Sequence, residues 1–128
     1  MKNKKNSSFV DRVVEFILSR KDEELATLTE TAVADTLGLA RSTLLQGFER
    51  EQNMTLARFI SREKIYRAFF MIENNQAIST LEIAKKLGFT RLKDFIHEFQ
   101  SIFLIEPDRY LRLMRMKKNY QPLKPALL

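Results

Sequence analysis

The sequence predicts an all-α fold in which two small helical units are joined by a long central helix, about seven helices in all. Apolar residues recur at intervals of three and four along most of the chain, and strand-like alternation is absent. Only three glycines and three prolines interrupt 128 residues, and Pro122 and Pro125 fall in the final stretch, so little breaks a helix before then.

In chain order, residues 1–8 are polar and basic and read as a disordered arm. Phe9, Val13, Phe16 and Ile17 predict a first helix from about Ser8 to Arg20. A short helix starts at Thr29 or Glu30, runs through Val33, Ala34 and Leu37, and stops at Gly38; a third follows from Ala40 to Glu51. The longest spans Thr55 to Asn74, with Leu56, Phe59, Ile60, Ile65, Ala68, Phe69 and Ile72 as its apolar positions. Ser79 with Glu82 three residues on is a capping-box pattern, starting a helix that ends at Gly88. Another runs from Thr90 to Ile102, and a last one begins at Pro107, whose fixed φ and missing N–H suit a first helical turn. The expected organisation is a first unit over 9–54, a linker helix over 55–74, a second unit over 75–118 and an irregular tail over 119–128. Phe69, Phe70 and Phe103 read as core.

Composition narrows the function. There are no cysteines and one histidine, so disulfides and thiolate metal sites are excluded and no metal or other cofactor is implied. No apolar run is long enough for a membrane span, so no membrane partner is expected, and the lack of a signal peptide points to the cytoplasm. A net charge of +6 favours polyanionic partners. His97 lacks any recognisable triad or metal motif around it, so no catalytic residue is proposed and the chain does not read as an enzyme.

An internal repeat points further. Leu37-Gly38-Leu39-Ala40-Arg41 is matched by Leu87-Gly88-Phe89-Thr90-Arg91 at an offset of fifty, and Val33-Ala34 by Ile83-Ala84. Downstream, Phe48 matches Phe99, Met54 matches Ile105, Leu56 matches Pro107 and Phe59 matches Tyr110 at fifty-one, which places one inserted residue between Arg91 and Phe99. Each copy has a small alanine where helices cross, a glycine for a left-handed turn four residues later, and a helix that buries a phenylalanine. That is the pattern of a homeodomain-like helix-turn-helix unit, whose second helix leaves one face free for a major groove.

Over about residues 25 to 115 the chain resembles the AraC/XylS transcriptional regulators. Ile83-Ala84, Leu87-Gly88-Phe89, Phe95, Phe99, Pro107 and Tyr110 carry the resemblance, with Leu28, Val33, Leu44 and Phe48 in corresponding places of the first half. The resemblance implies two helix-turn-helix subdomains that place recognition helices in neighbouring major-groove segments of double-stranded DNA, acting as a monomer and commonly activating transcription, with RNA polymerase as a further partner and the bacterial nucleoid as the setting. Asn53 and Leu104 stand where the family has glycines, Leu111 where it often has arginine, and Glu49 where it often has a basic residue.

The candidate readers follow from helical geometry. With Phe95, Phe99 and Ile102 inward, the second recognition helix turns Lys93, His97 and Gln100 outward, with Arg91 at its start. With Leu44 and Phe48 inward, the first presents Ser42, Thr43, Gln46 and Arg50, with Arg41 at its start, on a helix weakened by Gly47. Lysine can donate to guanine, glutamine can pair with adenine and histidine can donate from either tautomer. Arg109, Arg112, Arg115, Lys117, Lys118 and the arm lysines Lys2, Lys4 and Lys5 are candidates for phosphate contact. A rival reading is a protein-interaction adaptor that keeps the fold with weak DNA binding, motivated by Glu49, Asp94 and Glu98.

Overall fold

The computed structural model describes residues 9–75 and 77–119. Among these there are eight helices and no strand: α1 (Phe9–Leu18), α2 (Asp22–Ala26), α3 (Glu30–Leu37), α4 (Arg41–Gln52), α5 (Leu56–Asn74), α6 (Thr80–Lys86), α7 (Leu92–Phe103) and α8 (Pro107–Asn119). The arm over 1–8 and the tail from residue 120 lie outside the described residues. Asn119, expected in the tail, is the last residue of α8.

Local chemistry starts several of these helices where the sequence expects. The Thr29 hydroxyl accepts from the Ala32 N–H at 3.0 Å, and Thr55 accepts from Arg58 at 3.1 Å. At Ser79 the capping box closes both ways: the hydroxyl accepts from the Glu82 N–H at 3.1 Å, and the Glu82 carboxylate accepts from the Ser79 N–H at 3.0 Å. Each satisfies a backbone donor that the first helical turn leaves without a partner.

The eighth helix is α2, which periodicity does not reveal. It is five residues long and buries a single side chain, Leu25. Its start is held by the Lys21 N–H donating to the Glu24 carboxylate at 2.8 Å, and Asp22, Glu23 and Glu24 place negative charge at its positive end. Tertiary bonds complete it. The Arg67 guanidinium on α5 donates to Asp22 at 2.9 Å and to the Arg20 carbonyl at 2.7 Å. Burial alone would lower the Arg67 pKa, but hydrogen bonds to Asp22 and Glu63, together with their charges, outweigh it and raise the pKa.

Two cores share α5. Val10, Val13 and Ile17 of α1, Leu25, Val33, Ala34, Leu44 and Phe48 pack with Leu56, Phe59 and Ile60 from the first half of α5. Ile65, Ala68 and Ile72 from its second half pack with Ile78, Ile83, Ala84, Leu87, Phe95, Phe99 and Leu111. Phe48 and Phe99, the repeat-related pair, are both fully buried. Burial of such a side chain contributes roughly 1.5–3 kcal/mol. Phe69 is stacked between Phe103, at 4.3 Å between centroids, and Tyr110, at 4.7 Å. Phe70 departs from the core expectation: it is 59% exposed and meets the aromatic stack only at its edge, with its ring 6.1 Å from that of Phe69 between centroids.

Candidate nucleic-acid interface

The two halves build the same turn. α3 ends at Gly38 with φ 68°, and the Leu39 N–H returns to the Ala34 carbonyl at 2.9 Å; in the second half Gly88 has φ 83°, and the Phe89 N–H returns to the Ala84 carbonyl at 3.0 Å. Positive φ is cheap for glycine alone, so both glycines are fixed by backbone conformation. Ala34 and Ala84, the small residues of the repeat, are both buried, at 2% and 1% exposure.

The inserted residue lies elsewhere than the sequence alignment places it. Ala40 is the N-cap of α4 and Arg91 is the N-cap of α7, so the extra residue sits in the turn itself, between Phe89 and Arg91. Arg91 therefore corresponds to Ala40 rather than Arg41, and Leu92 corresponds to Arg41. The shared Leu-Gly-apolar-X-Arg letters conceal this shift, because an identical arginine closes both segments. Leu92, absent from the expected set, is 37% exposed at the first position of α7. The corrected register is the signal that finds it, since Arg41 was already a candidate.

All nine predicted site residues are exposed: Arg41, Ser42, Thr43, Gln46 and Arg50 on α4, and Arg91, Lys93, His97 and Gln100 at the start and along α7. Two of them are engaged. Arg41 pairs with Glu30 at 3.1 Å and Arg91 with Asp94 at 3.2 Å, with both arginine side chains largely exposed. Exposed pairs of this kind are worth at most about 1 kcal/mol, so a phosphate can take over either arginine. Among the described residues the side chains of Lys93 and His97 make no hydrogen bond or ion pair within the chain. Gln100 lines an open cleft with Leu104, Arg109 and Arg112, which brings two of the expected phosphate-binding arginines of α8 beside a candidate base reader. Of the acidic residues that motivate the adaptor reading, Asp94 pairs with Arg91, and Glu98 turns toward α5, where it accepts from the Ser61 hydroxyl at 3.4 Å.

Gly47 does not act as a weak point of α4. It is buried, and a methyl group added there would meet the Phe9 ring at 2.5 Å. The missing side chain lets α1 lie close against the back of the first recognition helix. A propensity cost of about 1 kcal/mol is offset by this packing.

Asn53 and Leu104 close α4 and α7 in left-handed conformations, with φ 57° and 61°. Asparagine tolerates that region and leucine does not, so the second helix carries strain that the first avoids. Leu104 is also 85% exposed. Leu111, where the resemblance has arginine, is buried in the second core and is not available to a phosphate.

Two short helices, a glycine turn and an exposed second helix, present twice on one shared α5, define a protein with paired helix-turn-helix motifs. Residues 33–113 match a family model described as a helix-turn-helix domain, well over half the chain. The chain belongs to the AraC-type helix-turn-helix family, whose domain is a DNA-binding transcription regulator and not an enzyme. It is 25% identical over 108 residues to the Msm operon regulatory protein of Streptococcus mutans, a match that spans 84% of this chain and 37% of the relative. The chain thus covers little more than a third of that relative's length. Among solved structures, the C-terminal domain of the response regulator AraT from Geobacillus stearothermophilus aligns with TM-score 0.76 at 20% identity, over 95% of this chain and 98% of that one. The DNA-binding domain of the global transcriptional factor AdpA, solved with a target DNA, aligns at 0.72 and 18% identity, over 90% and 100%. A DNA-binding transcriptional dual regulator from Escherichia coli K-12 aligns at 0.71 and 19%, over 90% and 99%. These likenesses establish the fold.

Proposed function

We propose that the protein is a sequence-specific regulator that binds double-stranded DNA as a monomer, setting α4 and α7 into adjacent major-groove segments. The observation that carries this reading is the duplicated turn: one chain holds two copies of the same backbone geometry, each followed by a helix with an exposed polar face. A single chain then suffices for two contacts. Arg41, Ser42, Thr43, Gln46 and Arg50 serve the first segment, and Arg91, Lys93, His97 and Gln100 the second. Phosphates supply affinity through Arg109, Arg112 and the lysines of α8, and the readers supply register and specificity. The solved complex of AdpA with its target DNA supports the choice of partner. Activation of transcription, engagement of RNA polymerase and residence in the cytoplasm at the bacterial nucleoid complete the reading. No helix of the described residues is long and apolar enough to cross a membrane.

The adaptor alternative draws on one observation: Arg41 and Arg91 are both occupied by carboxylates of the same chain. A salt series of binding to random duplex DNA separates the two. The regulator should lose affinity with a slope of about −0.9 per phosphate neutralised. No binding at low salt, or binding indifferent to salt, supports the adaptor. Sedimentation showing that only a dimer binds would overturn the monomer reading, and a reporter carrying the selected site tests the sign of regulation.

A further inference from the structure

A protein that reads two groove segments with one chain must hold its two recognition helices at a fixed separation and rotation. Successive major-groove faces lie about 34 Å apart along the duplex, and a displacement of one base pair also rotates the face. The covalent link between the motifs is α5, with 19 residues. Long helices bend, and α5 passes from the first core at Ile60 to the second at Ile65. Something else has to fix the angle across that passage.

Three contacts span it, and all converge on the segment from the end of α1 to the end of α2. Arg67 projects from the second half of α5 back to the first unit. Its guanidinium donates to the Leu18 carbonyl at 3.2 Å, the Arg20 carbonyl at 2.7 Å and Asp22 at 2.9 Å, while its Nε is oriented by Glu63 at 2.9 Å. The Leu18 carbonyl belongs to the last residue of α1, where the helix leaves acceptors unsatisfied and its dipole favours a cation. Lys64 donates to the Ala26 carbonyl at 3.4 Å and lies 5.7 Å from the ring centre of Phe89, in the turn of the second motif. The Ala26 carbonyl itself lies against Gly88, so closely that any Cβ there would overlap it. Gly38, at the equivalent turn, faces open space.

We infer that Arg67 and the contact of Ala26 with Gly88 form an inter-motif clamp that sets the spacing and rotation of the two recognition helices, and so the spacing of DNA half-sites the protein accepts. The inference rests on the two-motif reading for its consequence on DNA, but the clamp is a property of the free protein. Arg67 is a positioning residue, with no part in touching bases.

The native chain has no cysteine, so spin labels can be placed at Asp35→Cys on α3 and Lys85→Cys on α6, both exposed and repeat-related. Double electron–electron resonance on the DNA-free protein should give one narrow distance distribution. Arg67→Ala should broaden it about twofold, Glu63→Gln, which frees the guanidinium that Glu63 orients, should broaden it less, and Arg58→Ala, exposed on α5 and outside the network, should leave it unchanged. Arg67→Lys and Asp22→Asn, each removing part of the network, should broaden it to lesser degrees and serve if Arg67→Ala fails to fold. On DNA, inserting one base pair between half-sites should weaken the parent roughly tenfold and Arg67→Ala much less. Unchanged distributions in every folded Arg67 and Asp22 variant overturn the clamp. Failure of the parent to bind any DNA overturns the two-motif reading and leaves the label distances to judge the clamp.

Discussion

Gly38 and Gly88 occupy the same place in the two motifs with nearly the same backbone, and their surroundings differ completely. The first has nothing within 4 Å of an added Cβ, and the second is packed against the Ala26 carbonyl. What the two copies share is what a helix-turn-helix requires. Where they differ, the cause is the assembly of two motifs on one helix. The C-caps and the backs of the recognition helices repeat the lesson: Asn53 against a strained Leu104, and Gly47 under the Phe9 ring against Glu98 facing Ser61.

The largest difference in stability should come from the glycines themselves. Gly38→Ala should cost about 1–2 kcal/mol, the left-handed strain alone, and Gly88→Ala about 3 kcal/mol, because α2 must also be displaced. Urea unfolding of the two variants checks this. Equal losses would mean that the Ala26 contact carries no energy.

Gly47→Ala sets a helix-propensity gain of about 1 kcal/mol against a displaced Phe9 ring at roughly 1–3 kcal/mol, so the variant should be less stable than the parent. Pairing it with Phe9→Ala should restore the gain, giving a coupling in a double-mutant cycle. Additive losses would show that the ring moves freely. At the helix ends, Leu104→Gly should stabilise by about 1 kcal/mol and Asn53→Gly should change little, since only leucine is strained there. Thermal melts of the pair decide it.

The smallest effect separates Tyr110 from its first-motif counterpart Phe59, which has no hydroxyl. Burial, the hydrogen bond to Glu73 and its charge push the Tyr110 pKa from 10.0 to about 12. The folded state thus holds the proton more tightly than the unfolded state. The stabilisation is fully present below pH 10 and is lost as pH rises toward 12. Tyr110→Phe should remove that part of the alkaline fall in stability, and Phe59→Leu should leave it in place. An identical pH profile for Tyr110→Phe and the parent would contradict the assignment.

Features that one turn of chain determines were legible in the sequence. Thr29, Ser79 with Glu82, Gly38 and Pro107 start or stop helices through neighbours within four residues, and the duplicated alanine and phenylalanine positions marked both cores. Features that depend on distant partners were not. α2 has one buried apolar side chain and is held by Arg67, far along the chain, so no periodicity announces it. Gly47 reads as a helix weakness until Phe9 is seen against it. Phe70 follows an apolar neighbour into an apolar stripe, and only the packing of Phe69 shows that it faces outward. The candidate readers were found because burial of Leu44, Phe48, Phe95 and Phe99 fixes the opposite face. Leu92 was absent from the set because the inserted residue was placed after Arg91, whereas it lies before it.

We propose that both recognition helices read DNA and that the second, with Lys93, His97 and Gln100 beside the α8 arginines, carries more of the specificity. Parallel affinities of Lys93→Ala, His97→Ala, Gln46→Ala and Arg50→Ala for a selected site and for random duplex test it most directly. Loss of a base contact by Lys93→Ala or His97→Ala should cost about 1–3 kcal/mol on the selected site and much less on random DNA. Gln46→Ala and Arg50→Ala should narrow the discrimination by a smaller factor, and Lys117→Ala should weaken both DNAs alike. Discrimination erased by the first-motif substitutions alone, with Lys93→Ala and His97→Ala silent, would contradict the account.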